Sequence, residues 1–405
     1  MSKALIPALA LLAMLSYGQT AGTQTVEPEQ EHTGLFPVCD SMKDGYIDRN
    51  GKLIIALQFD GGEDFFEGLA AVNVGGKSDE YGQAVGGKWG YIDKTGELVI
   101  EPRYNDAWDF SDGLAAVNVG GKSGEHGNVE GGKWGYVDKT GNLVIQPQFD
   151  GGENFFDGLA AVNVGGKSDE YGLVEGGKWG YIDKTGNLAI KPQFDQTYYF
   201  SEGLAMVNLG GKWGYIDKTG KFVIEPRFVD ARHFSEGLAA VEVGGKPDEY
   251  GNVEGGKWGY IDKTGKSVIE PRFDAAVGFS EGLAAVNVGG EPGKNGIGSG
   301  KKWGYINKTG KLAIKPQFDE AKHFSEGLAV VNVGGKSTEY GTVKGGKWGY
   351  IDKTGNLVIQ PQFDETDDFR DGLAPVGPGG NQSYIDKTGK YVWKPSNPEN
   401  ASGGQ

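Results

Sequence analysis

Apolar residues along the chain come in short runs, each interrupted within five to eight residues by Gly, Pro or the tetrapeptide Asp-Lys-Thr-Gly. Helices of about 10–14 residues find no room in such a pattern, whereas strands separated by turns do. In one representative stretch the spacing predicts three strands, over residues 69–74, 89–93 and 98–100. Val, Ile, Tyr and Trp, which suit a pleated surface, dominate the second and third. Between these two lie Asp93, Lys94, Thr95 and Gly96. Asp opens a type I turn, and Gly supplies the positive φ of the bulge that follows. Between the first and second strands the chain turns tightly, as at Gly210, Gly211 and Lys212, or carries an 11-residue insertion, as around Asp79, Glu80, Tyr81 and Gly82. The insertion therefore sits at a hairpin tip. After the third strand a Pro-x-aromatic step, such as Pro102, Arg103, Tyr104, is expected to leave the ladder, because proline has no N–H to donate, and to carry the chain to the next unit.

This pattern is repeated. Lys-Trp-Gly recurs with tryptophans at Trp89, Trp134, Trp179, Trp213, Trp258, Trp303 and Trp348, at spacings of 45, 45, 34, 45, 45 and 45 residues. Degenerate copies that keep Tyr-Ile-Asp and lose the tryptophan begin at Asp44 and Ser383, which makes nine units. The run KWGYIDKTGELVI from Lys88, with its partner segment FSEGLA at Phe234, Phe279 and Phe324, resembles the WG-containing (KWG) repeat family over nearly everything after Gly34. The resemblance implies a bacterial interaction module with no assigned chemistry.

Each unit is too small to bury its own apolar face, so neighbours must stack, with atypical units at the ends as caps. Gly-Leu-Ala opens every unit but the first, which has Gly34, Leu35, Phe36 instead, so the array begins with a first strand and ends with a third. No unit is divided between the termini, as it often is where a ring is fastened shut. The expectation is thus an all-β fold of three-stranded antiparallel meanders stacked into an open superhelical array, a closed propeller-like ring being the alternative. Leucine-to-tyrosine spacing is 11 residues in units one, five and nine (Leu35 to Tyr46, Leu204 to Tyr215, Leu373 to Tyr384) and 22 in the other six. Duplication of a four-unit block, or a superhelix with about four units per turn, would each give that order.

Residues 1–21 read as a secretory signal: Lys3, an apolar run of 12 residues from Ala4 to Leu15, then small residues. The run is shorter than the roughly 20 residues that span a bilayer, so the mature chain is expected to be exported without membrane insertion, to the periplasm, the cell surface or the medium. A linker over 22–33, the nine-unit array over 34–395 and a disordered tail over 396–405 complete the chain. Cys39 is the only cysteine, so no internal disulfide is available. Hydrophobic residues at 38% against 23% charged give a chain that folds. The net charge of -15 disfavours nucleic acid as a partner.

The recurring tryptophans are read as the structural core of the repeat, because a large aromatic at one fixed strand position packs more often than it binds. The long tips are the candidate partner-binding residues: Asp79, Glu80 and Tyr81; Asp169, Glu170 and Tyr171; Asp248, Glu249 and Tyr250; Glu339 and Tyr340. Tyrosine there offers amphipathic contact area at low entropic cost. The Asp-Lys-Thr-Gly turn brings one carboxylate where calcium needs six to eight oxygens, so no metal and no cofactor are expected. The four histidines share no motif with a nucleophile, and no singular spot breaks the repeat as a catalytic site would. The expected function is therefore non-catalytic: a scaffold that binds protein in the cell envelope or outside the cell, with binding of glycan or cell wall through the aromatic residues as the alternative.

Overall fold

The computed structural model describes residues 34–78, 84–124, 127–169, 172–247, 253–289, 302–337, 343–377 and 382–396. The described residues are all β: nine units form nine blades, and two further two-stranded sheets, Lys122–Ser123 with Val129–Glu130 and Lys246–Pro247 with Val253–Glu254, stand on the hairpins of two of them. Blades 2–8 each have four antiparallel strands in simple chain order, whereas blades 1 and 9 have three among the described residues. In blade 2 the strands are Gly61–Phe66, Leu69–Ser78, Ala84–Asp93 and Leu98–Tyr104. The segment after the Pro-x-aromatic step is thus not merely a crossing. It is the first, innermost strand of the next blade, and the expected three-stranded meander is corrected to four strands.

The outer strand also runs further than its proline suggests. It continues through Pro102 to Tyr104, with Tyr91 opposite Ile100, Trp89 opposite Tyr104 and a register shift between those two pairs. Proline is tolerated there because the outer strand has a free edge and the bulge needs no ladder bond. The bulge also explains the glycine of Trp-Gly. A Cβ on Gly90 would stand 2.4 Å from the Ile100 carbonyl oxygen and 2.7 Å from the Pro102 nitrogen, so only glycine lets the two backbones approach. The Asp-Lys-Thr-Gly hairpin forms as expected. Asp93 accepts from the Thr95 N–H, the Thr95 hydroxyl and the Glu97 N–H, and Gly96 has φ 87°. These bonds to the carboxylate hold Asp93 below the usual aspartate range.

The core lies between blades, not within them. Each of nine apolar clusters joins one blade to the next; one combines Leu204, Tyr215 and Phe228 of blade 5 with Ala231, Phe234 and Val241 of blade 6. The tyrosine that follows Trp-Gly is the most deeply buried large residue, as at Tyr91, Tyr136 and Tyr181. Its hydroxyl crosses to the adjacent blade and donates to a backbone carbonyl, as from Tyr91 to Trp108 at 2.7 Å and from Tyr215 to Arg232 at 2.7 Å. A second joint is polar. The turn joining the first two strands places Glu67 at φ 50°, a left-handed conformation that costs a non-glycine residue energy. The Glu67 carboxylate accepts from the Gly113 N–H of the next blade and pairs with Lys139 of that blade at 3.0 Å.

The same joints close the ring, which overturns the open superhelical array. Tyr384 of blade 9 donates to the Pro37 carbonyl of blade 1 at 2.9 Å. Arg49, standing where other units have the turn lysine, pairs with Asp371 of blade 9 at 2.6 Å. Phe36, Val38 and Ile47 pack with Leu373 and Tyr384 to make the ninth cluster, and Ser396 donates to Asp40. The result is a nine-bladed β-propeller. Among the described residues no blade is shared between the termini, and closure comes from side chains meeting across one more interface of the usual kind. The two tryptophan-less units, expected to be end caps, are neighbours.

Replacing Tyr215 or Tyr384 by Phe leaves a carbonyl without its donor, at an internal interface in one case and at the closing interface in the other. Each change is expected to lower unfolding free energy by about 1 kcal/mol in urea titration. A silent Tyr384→Phe beside a costly Tyr215→Phe would mean that blades 9 and 1 do not meet.

Candidate functional site

The hairpins joining second and third strands all emerge on one face of the ring. In blades 2, 4 and 8 their ladders extend past the blade body, pairing Gly76 with Gly86, Gly166 with Gly176 and Gly335 with Gly345. A buried asparagine pins each base: Asn73, Asn163 and Asn332 donate to the carbonyls of Gly86, Gly176 and Gly345. Neighbouring hairpins touch, since the Gly86 N–H donates to Ser123 at 2.8 Å and the Gly131 N–H to Ser168 at 2.6 Å. They also lean inward. The Ala84 side chain and the Trp89 ring both pack on Gly61 of the innermost strand.

Ring closure gives the order of long and short hairpins a meaning that a linear array does not. Blades 2–4 and 6–8 carry the long ones, while blades 1, 5 and 9 are short. Nine equal blades set blade 5 opposite the junction of blades 9 and 1, so the described hairpin stems of blades 2–4 stand across the ring from those of blades 6 and 8. Of the candidate tip residues only Asp169 is described, and its carboxylate accepts from the Leu173 N–H in a tight turn. Asp79, Glu80, Tyr81, Glu170, Tyr171, Asp248, Glu249, Tyr250, Glu339 and Tyr340 lie outside the described residues.

The repeat tryptophans pack into the interblade clusters, but not uniformly. Trp213 and Trp258 are buried, whereas Trp89, Trp134, Trp179, Trp303 and Trp348 are half-buried. Each indole lies at the hairpin end of its blade and reaches toward the innermost strand. What it meets there differs from blade to blade: Tyr198 against Trp213, Arg232 over Trp258 at 4.6 Å, Lys322 over Trp348 at 6.0 Å and Trp108 edge-on to Trp134 at 6.3 Å.

These differences define the channel. The innermost strands carry a dipeptide just before a constant phenylalanine, and it reads Glu63-Asp64, Trp108-Asp109, Glu153-Asn154, Tyr198-Tyr199, Arg232-His233, Val277-Gly278, Lys322-His323 and Asp367-Asp368. Side chains from adjacent blades meet here, as Tyr199 stacks on His233 at 4.3 Å and His323 lies 3.3 Å from Asp368. Arg370 of blade 9 reaches past blade 1 to Asp64 of blade 2 at 2.5 Å. The search for one spot that breaks the repeat missed this position, because unlike residues at one place in every unit converge only when the units form a ring. Variation between fixed neighbours was the available signal. Among the described residues no group of three or more His, Cys, Asp or Glu is arranged to hold a metal ion.

The family model described as WG containing repeat matches eight segments: 45–77, 89–122, 134–167, 179–213, 213–246, 258–291, 303–336 and 348–378. The chain belongs to the WG-containing repeat family. No curated protein matches it. Among solved structures, a eukaryotic initiation factor is similar at 13% identity and TM-score 0.52, covering 85% of this chain and 90% of its own, which supports the fold alone. Apo AztD from Citrobacter koseri is similar at 12% identity and TM-score 0.38, covering 80% of this chain and 92% of its own.

In this WG-repeat ring the channel is electrically lopsided. Blades 2–4 supply Glu63, Asp106 and Glu153, none of them paired with a cation among the described residues. Glu63 keeps exposed surface on the channel wall, and the protein crowded around it, with Asp64 and Asp106, raises its carboxyl. Burial also lifts Glu153 to about 7 and Asp106 to about 6. Blades 6 and 8 supply Arg232 and Lys322, which pair internally with Asp230 and Asp367. At a hairpin base in blade 6, Glu242 stands where blades 2–5, 7 and 8 have asparagine, and burial beside Asp230 lifts it to about 7. Burial, then Arg232, holds His233 down at about 3.

The pH dependence follows from these directions. A carboxyl whose folded value is raised holds its proton more tightly when folded, so its contribution falls as pH rises from the unfolded value toward 7. His233 runs the other way, losing stability as pH falls below its unfolded value of 6.5. Four raised carboxyls outweigh one depressed histidine, so the melting temperature is expected to rise as pH drops from above 7 toward 5. Changing Glu63 and Glu153 to Gln should flatten that rise in thermal melts monitored by circular dichroism.

Proposed function

We propose that this protein is a non-catalytic scaffold, exported from the cell, that binds other proteins across the hairpin face of the ring. One observation carries the reading: the described long hairpins of blades 2–4 and of blades 6 and 8 stand on opposite sides of a channel mouth whose lining differs in each of blades 2–9. A repeated body gives rigidity, and the non-repeating lining gives selectivity. A stiff preformed surface also avoids the ordering cost that a flexible binder meets. Export rests on the apolar run of the first 21 residues, which lie outside the described part of the chain. Among the described residues no helix is long and apolar enough to cross a membrane. The glycan alternative gains nothing from the repeat tryptophans, since they are spread one to each of blades 2–8 around a ring and each packs into its own interblade cluster.

The test compares the mature protein with a version in which all six long hairpins are shortened to the Gly210-Gly211-Lys212 form. Both would be used to capture proteins from envelope extract. The shortened ring keeps every interblade cluster and is expected to fold and lose its captured proteins. Equal capture by both would remove the hairpin face as the binding surface.

A further inference from the structure

Three of the tryptophan-bearing blades begin their innermost strand with an acid: Asp106 in blade 3, Asp230 in blade 6 and Glu320 in blade 8. In each, the residue two positions later faces the indole of the same blade. Blade 6 puts Arg232 there, with its guanidinium 4.6 Å from the Trp258 ring centre and 2.8 Å from the Asp230 carboxylate. Blade 8 puts Lys322 there, 6.0 Å from the Trp348 ring centre. The Lys322 ammonium pairs with Asp367 of blade 9 and not with Glu320, so blade 6 alone shows what a leading carboxylate beside a repeat indole holds: a cation that the chain provides itself.

Blade 3 keeps the same frame without the cation. Asp106 adopts the posture of Asp230, for each accepts from the N–H of the following alanine, Ala107 or Ala231. Trp134 occupies the place of Trp258, since the strand partners Asn118 and Glu242 sit opposite them in the same register. Where Arg232 would be, however, stands Trp108, with 42% of its surface exposed. Glu63 and Glu153 flank it from blades 2 and 4. An exposed indole with a carboxylate two positions before it, and with Glu63 and Glu153 at the same position on the neighbouring blades, favours a flat, weakly hydrated cation, which stacks on the ring while its N–H groups reach the oxygens.

We infer that the blade 2–4 side of the channel mouth binds an arginine side chain of a partner protein, with its guanidinium on Trp108 and paired with Asp106. This deepens the protein-binding reading and rests on it. The short hairpins at blade 5 and at blades 9 and 1 give an extended segment a way in and out. Charge complementarity supports the choice of occupant, for Glu63, Asp106 and Glu153 on this side of the mouth pair with no cation among the described residues and the chain as a whole carries -15.

The test is calorimetric titration of the full chain, above the pH at which these carboxylates titrate, with the acetylated and amidated peptide Gly-Ser-Arg-Ser-Gly. Its counterpart has citrulline in place of arginine, which keeps the shape and removes the charge. The arginine peptide should bind, and the citrulline peptide at least about tenfold more weakly. Asp106→Asn should weaken the arginine peptide about tenfold with no loss of melting temperature, because it removes an unpaired charge without changing shape. Asp230→Asn should leave peptide binding unchanged, since that carboxylate is already occupied by Arg232. Equal binding of both peptides, no binding at millimolar concentration, or indifference to Asp106→Asn would overturn the inference. If the peptide fails while protein capture still depends on the long hairpins, the scaffold stands without this site. If the peptide binds while capture ignores the hairpins, the reverse holds.

Discussion

The joint between adjacent blades governs everything else in this molecule. A sheet of four short strands cannot shield its own apolar face, so its tyrosine, phenylalanine and isoleucine side chains find cover only against the next sheet. The tyrosine after Trp-Gly makes that cover directional. Its ring is fully buried against the next blade's phenylalanine, with centroids 4.8 Å apart for Tyr91 and Phe110, and its hydroxyl fixes the two sheets in height through one carbonyl. On the opposite face from the long hairpins, the Glu-Gly turn grips the following blade through its carboxylate, although such exposed ion pairs contribute little individually. Because the tyrosine contact recurs at all nine interfaces, and the acidic turn at eight of them among the described residues, each blade is set against the last in the same way. After nine steps the last blade meets the first.

The repeat motif is legible in those terms. Tryptophan reaches across its own blade toward the channel, glycine admits the bulged outer strand, tyrosine locks the neighbour, and Asp-Lys-Thr-Gly turns the hairpin while offering its lysine to the preceding blade. Few of these positions can change without loss, which is why they look alike from unit to unit. The innermost strand is different. Its two residues before the constant phenylalanine point into the channel or along its wall, where no packing requirement dictates their identity, and there the units diverge into acids, aromatics and cations. A rigid frame with a free lining lets one architecture present different chemistry on different sides of the same opening.

What could be read from the chain followed from local physics. Strand periodicity, the Asp-Lys-Thr-Gly hairpins, the position of the insertions at hairpin tips and the count of nine units all depend on residues a few positions apart. Family membership was equally legible, being carried by a motif of a dozen residues. Two local judgements failed for identifiable reasons. Proline at 102 was taken to end a strand, but an outer edge with a bulge accommodates it. The segment from Gly61 to Phe66 was taken as a crossing, although its strand character is masked by glycines and acids that suit a channel wall.

The sequence by itself determined the unit, its turns and the rhythm of long and short hairpins, because each of these is set by contacts within some forty residues. Only the tertiary structure decided between ring and superhelix, because that choice depends on a small rotation per interface summed over nine steps, and no single unit encodes the sum. Closure in turn put Arg49 beside Asp371, set blade 5 opposite the junction of blades 9 and 1, and brought Glu63, Trp108 and Glu153 to one side of a common channel. Glu63, Trp108 and Glu153 hold one repeat position in three successive units, but Arg49 and Asp371 lie near opposite ends of the chain with nothing local to link them. Their meeting is a property of the circle.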